Sequence, residues 1–161
     1  TWNHTNNDGR LSELIKSCAE SVYDIDRRLN AASLIELCEL GCPVDGGTVR
    51  VAIRYSNLEF IDYLHKIGCI FGIGSVISSI EREDDIEKDQ IIVFVDSICT
   101  DKLISPHYYF EFVKYGGLDI LKKMINMGYK IDKQELYNYL KARQRYDRTR
   151  FVIDILHFCE E

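Results

Sequence analysis

Two stretches of this chain, about sixty residues apart, echo one another. Residues 48–68 (TVRVAIRYSNLEFIDYLHKIG) align with residues 108–128 (YYFEFVKYGGLDILKKMINMG). Tyr55 matches Tyr115, Leu58 matches Leu118, Glu59 matches Asp119 and Gly68 matches Gly128. A repeat constrains architecture before any single residue does, because each copy buries its apolar face only against a neighbour. It also turns the functional expectation away from an enzyme, since stacked repeats present surfaces more often than catalytic clefts.

Helical periodicity between and around the copies comes in pairs of segments. Residues 11–22 and 30–40 form the first pair, which stops at Gly41, a good helix-closing residue. Residues 48–55 and 58–67 follow and end at Gly68, then 73–80 and 89–98, ending near Cys99. Residues 107–115 and 118–127 end at Gly128, and 133–142 and 148–158 end near Cys159. The repeating unit is therefore roughly thirty residues, and the echo spans two of them. The expected fold is an all-α solenoid of about five antiparallel helix pairs, forming a single repeat domain over residues 11–161 behind a polar tail, residues 1–10. Ser56-Asn57 and Gly116-Gly117 read as tight turns between paired helices. Pro43 follows a helix end and Pro106 precedes a helix start, both expected places for proline. The β-branched run Ile91-Ile-Val-Phe-Val95 could form a strand, but the unit register puts it inside a second helix.

Composition narrows the function classes. The chain has 161 residues, with 46% hydrophobic and 29% charged, an ordinary balance for a domain with a real core. No apolar run is long enough to span a bilayer, and the first ten residues lack the apolar core of a signal peptide. A net charge of −6 argues against general affinity for nucleic acid or anionic membrane. Charge is uneven, however: residues 81–89 (EREDDIEKD) are acidic and residues 141–150 (KARQRYDRTR) are basic. Six cysteines occur without a Cys-x-x-Cys pair, and four of them sit at or just past unit ends. That placement suits small buried residues at repeat junctions in a reducing, intracellular and cytoplasmic setting, not a disulfide framework.

The segment Ala52-x-x-x-x-Asn57-Leu-Glu-x-Ile-x-x-Leu64-x-x-x-Gly68-Cys69 resembles the second half of an ankyrin repeat, and Gly117-Leu-Asp-Ile-Leu-x-x-Met-Ile-x-x-Gly128 fits the same pattern. The resemblance implies a divergent ankyrin-repeat protein, similar to ankyrin-like proteins of large DNA viruses and intracellular bacterial effectors. The usual Thr-Pro-Leu-His opening is missing, with Gly47-Thr-Val-Arg50 and His107-Tyr-Tyr-Phe110 in its place. The loop between Gly41 and Ala52 is too short for a full β-hairpin finger, so fingers are expected to be short or absent. In this family binding usually involves the first helix of each pair and the loop before it. The resemblance therefore implies a protein partner, such as a host factor, and contact residues among Arg50, Arg54, Tyr108, Tyr109, Lys114, Tyr137 and Lys141. Tyr and Arg most often anchor interfaces. Tyr55 and Tyr115, recurring at equivalent positions, suit packing between units better.

No catalytic, cofactor or metal site emerges. The four histidines share no helix-face spacing and stand in no zincin arrangement. No Gly-rich phosphate loop or nucleophile elbow is present. The leading expectation is a non-enzymatic protein–protein interaction module without cofactor. The alternatives are a nucleic-acid-binding helical solenoid using the basic 141–150 patch, or an enzyme fragment with an unrecognised site.

Overall fold

A computed structural model of the chain describes residues 13, 27–113, 117–144 and 150–161. It is mostly helical, with two short parallel strands, and divides into two compact units, Thr1–Cys99 and Thr100–Glu161. The division falls at Cys99, one of the expected unit ends. Of the helix expected over residues 11–22, Glu13 alone lies among the described residues, and it is helical.

In the first unit α1 (Arg27–Glu39), α2 (Gly46–Tyr55), α3 (Leu58–Lys66), α4 (Ile73–Glu81) and α5 (Lys88–Ile98) follow in order. α1 packs on α3, α2 on both α3 and α4, and α4 on α5. Second helices thus meet second helices and first helices meet first helices. The amphipathic α3 buries Phe60, Ile61 and Leu64 completely, each worth about 1.5–3 kcal/mol of transfer free energy. α4 is different: every residue from Ile73 to Ile80 is buried. A helix enclosed on all sides needs small residues, and Gly74, Ser75, Ser78 and Ser79 provide them. The buried hydroxyls bond back into their own helix, Ser78 Oγ to Gly74 O at 2.9 Å and Ser79 Oγ to Val76 O at 2.6 Å. The β-branched run at Ile91–Val95 is helical, inside α5, with Ile91, Ile92 and Val95 turned inward.

In the second unit β1 (Leu103–Ile104) leads into a 3₁₀ turn, Pro106–Tyr108, and a four-residue α6 (Tyr109–Phe112). α7 (Gly117–Asn126), β2 (Lys130–Ile131), α8 (Lys133–Gln144) and α9 (Arg150–Glu160) complete it. α7 packs on α6 and α9, and α9 on α8. β1 and β2 pair in parallel, Leu103 with Lys130 and Ile104 with Ile131. This pairing, which has no signature in the residue pattern, joins the segments leading into successive helix pairs. Gly117, expected in a turn, instead opens α7.

Helix closure repeats with fidelity. Gly41, Gly68 and Gly128 have φ of 93°, 95° and 95°, a left-handed conformation that side chains resist. Each closes a Schellman motif. The glycine amide donates three residues back, to Cys38, His65 and Ile125. The next amide, of Cys42, Cys69 or Tyr129, donates five back, to Leu37, Leu64 or Met124.

Candidate functional site

α2 starts at a capping box. The Thr48 amide and hydroxyl both donate to Asp45 Oδ1, at 2.8 and 3.0 Å, and the Asp45 amide returns a bond to Thr48 Oγ1 at 3.3 Å. These bonds, led by the Thr48 amide, hold the Asp45 carboxyl below its usual range. The helix so fixed buries Val49, Ala52 and Ile53 and carries Arg50 and Arg54 toward α4. Arg50 Nε donates to Ser78 Oγ at 3.0 Å and is half-buried. Arg54 lies 3.6 Å from Glu81 Oε2, its guanidinium 5.6 Å from the Tyr55 ring centroid. With its side chain 43% exposed, that ion pair contributes at most about 1 kcal/mol. Both arginines therefore tie two first helices together, and Arg54 keeps the more open surface.

Tyr109 is not a surface residue. It is completely buried, its hydroxyl donates to Glu135 Oε2 at 3.2 Å, and its ring meets Tyr139 edge-on at 5.6 Å. Burial first, then the Glu135 charge, push its hydroxyl pKa well above the usual range. It joins α6 to α8 and drops out as a contact candidate. Tyr108 is half-buried, its ring meeting that of His107 edge-to-face with centroids 5.2 Å apart. Lys114 and Tyr115 lie outside the described residues, as do residues 145–149 of the basic patch.

α8 carries the most open face among the sequence candidates. Among the described side chains of the helix only Leu136 and Leu140 are buried. Gln134, Tyr137, Asn138 and Lys141 recur at three- and four-residue spacing and form an outward stripe. Gln134 Nε2 donates to Asn138 Oδ1 at 3.1 Å, and Lys141 Nζ stands 5.3 Å from the Tyr137 centroid. Alongside, Arg143 Nη1 donates to Tyr139 Oη at 2.6 Å. Two cations are thus steered over two tyrosines, which holds long side chains in defined positions.

Arg82 was hidden in the sequence by the acidic run around it. Only 2% exposed, it donates from Nη1 to Ile53 O at 2.9 Å and to Ser56 O, and from Nε to Asp85 Oδ2 at 3.0 Å. Its Nη2 is 2.8 Å from the same carboxylate, an ion-pair contact whose angle falls outside hydrogen-bond geometry. The cue available in sequence was the Arg82-x-x-Asp85 spacing just past a helix end.

Cys38, Cys42 and Cys69 are poor nucleophiles. Burial, with the neighbouring Cys42, Cys69 and Glu39, pushes Cys38 up to about 11, and burial raises Cys42 and Cys69. A thiol at such values carries little thiolate at neutral pH. His65 is exposed and meets Phe71 and Phe94 edge-to-face, with ring centroids 5.9 Å apart in each pair. Among the described residues no group of three His, Cys, Asp or Glu side chains could hold a metal ion. No described helix is long and apolar enough to cross a membrane. No family model matches the chain, and no curated protein and no solved structure matches it.

Proposed function

We propose that this chain is a non-enzymatic protein-interaction module, a divergent ankyrin-like stack of helix pairs with reduced fingers that works in a reducing compartment. The outward stripe of α8 carries this reading: Tyr137 and Lys141 are stacked, exposed to different degrees, and flanked by amides that bond each other. Tyrosine offers large contact area at small entropy cost, and a cation already held over its ring loses little freedom on binding. The pairwise contacts, first helix to first and second to second in the first unit and second to second in the second unit, support the repeat part of the reading.

The test is affinity purification on the whole chain, followed by reconstitution with the purified partner. A stoichiometric protein lost on Tyr137→Ala/Lys141→Ala, with unchanged circular dichroism, supports the proposal. Turnover of a small molecule without any protein partner sinks it. Capture of nucleic acid with a steep salt dependence, lost on Arg143→Ala, replaces it with the nucleic-acid reading.

A further inference from the structure

We infer that the first unit carries a second docking site, of opposite charge to the α8 stripe, which takes a basic amphipathic segment of a partner protein. The site is a cleft of about 480 Å³ where α3 and α5 begin, lined by Asn57, Leu58, Glu59, Asp62, Glu87 and Phe94. Leu58 and Phe94 give it an apolar wall, and three carboxylates form its rim. Lys66 holds Asp62 at 2.6 Å, so the negative field there comes mainly from Glu59 and Glu87.

The loop entering α5 extends the same surface. Ile86, directly before Glu87, is 94% exposed. Glu83 and Asp84, in the same loop, add further carboxylates, Asp84 being paired with Lys88 at 3.0 Å.

An exposed isoleucine on a slack loop would mean little, but this loop is braced. Buried Arg82 locks it to the end of α2 through Ile53 O and Ser56 O. Asp85 accepts from the Arg82 side chain and, at 3.0 Å, from the Glu87 amide, while its carbonyl accepts from Lys88 N at 3.3 Å. A loop ordered in advance loses little entropy on binding. Apolar side chains ringed by acid groups favour a partner whose apolar residues are flanked by Lys or Arg. An amphipathic helix laid in a groove has that arrangement. The site shares no residue with the α8 stripe, so the two proposals fail independently.

A fluorescent lysine/leucine amphipathic peptide is the probe, with a glutamate/leucine counterpart and a lysine/serine peptide as controls. Fluorescence anisotropy on the whole chain at an ionic strength of about 0.15 M reads the affinity. The expected result is saturable binding of lysine/leucine only, weakened at least about tenfold by Ile86→Ser or by Glu59→Lys/Glu87→Lys. Lys141→Glu should leave it unchanged. Arg82→Met, which removes the brace without touching the peptide, should weaken it too. Ile86 is so exposed that its replacement leaves folding intact, and circular dichroism checks this. No binding of the probe, equal binding of lysine/serine, or equal binding by the Ile86→Ser variant would overturn the inference.

Discussion

The two copies of the repeat close alike and open differently. Residues 48–68 and 108–128 both end in a Schellman motif on a glycine at φ 95°. Before that point they diverge. The first copy opens with the ten-residue α2, begun by the Asp45–Thr48 capping box. The second opens with a proline-led 3₁₀ turn and a four-residue helix that has no side-chain cap. Between the helices, the first copy has Asn57, whose side chain accepts from the Phe60 amide at 3.1 Å. The second has Gly117 there, so close to Phe112 that a Cβ would lie 2.1 Å from its carbonyl oxygen. The end of the first helix is also held differently. In the first copy Arg82 satisfies Ile53 O and Ser56 O; in the second the backbone of Gly117 crowds against Phe112. Helix closure is thus a local solution that one glycine repeats, whereas helix opening depends on what lies beside each copy.

The largest expected effect breaks the first copy at its far support. Arg82→Ala removes the guanidinium from two helix-end carbonyls and from Asp85 Oδ2, at a cost of about 3–5 kcal/mol. Chemical denaturation measures it. Arg82→Lys recovers only part, because an ammonium cannot serve carbonyls and carboxylate from one planar fork. A loss under about 1 kcal/mol would mean that water replaces the guanidinium and that the brace is dispensable.

Next comes the second copy's close approach. Gly117→Ala drives a methyl into backbone that no rotamer change can clear, and about 3 kcal/mol of destabilisation is expected. The matching change in the first copy, Asn57→Ala, removes a cap and costs about 1 kcal/mol. If both cost the same, the two openings differ less than their geometry indicates. The shared closure gives the control: Gly68→Ala and Gly128→Ala should each cost about 1–2 kcal/mol, by nearly equal amounts in the same denaturation assay.

Local closures were legible in the sequence because their chemistry is local. Gly41, Gly68 and Gly128 announced three helix ends, and the amphipathic spacing placed α3, α4, α5 and α7 to within a residue or two. What depends on a distant backbone was not legible. Gly117 reads as part of a tight turn, because nothing in its own segment names Phe112 as its neighbour. Tyr109 read as a contact residue, because its partners Glu135 and Tyr139 lie on another helix. Arg82 was masked by the carboxylates around it, since a charge run ordinarily marks a solvated turn. The two-residue strands are too short to show alternation, and they exist only by pairing with each other. Of the site candidates, Tyr137 and Lys141 are picked out by residue type on an expected first helix, while the acidic cleft needs α3 and α5 brought together.

The smallest effect sharpens the comparison through pH. Asp45 titrates ordinarily near 3.8, and in the folded chain its bonds from the Thr48 amide and hydroxyl lower that value. A carboxyl with a depressed folded value contributes stability above its unfolded pKa and loses it as pH falls through the folded one. The α2 cap should therefore weaken progressively once the pH drops below 3.8. The second copy opens at Ser105 and Pro106 without any side-chain cap bond, so its opening has no matching acid loss. Amide hydrogen exchange at Thr48 and Val49 should quicken on acidification through that range, beyond the intrinsic change, while amides in α6 do not follow with the same midpoint. Asp45→Asn keeps an oxygen to accept from Thr48 and removes the proton, so it should flatten the profile with little change in stability near neutrality. A profile unchanged by Asp45→Asn would assign the acid loss to another carboxyl and leave the two openings equal in their response to pH.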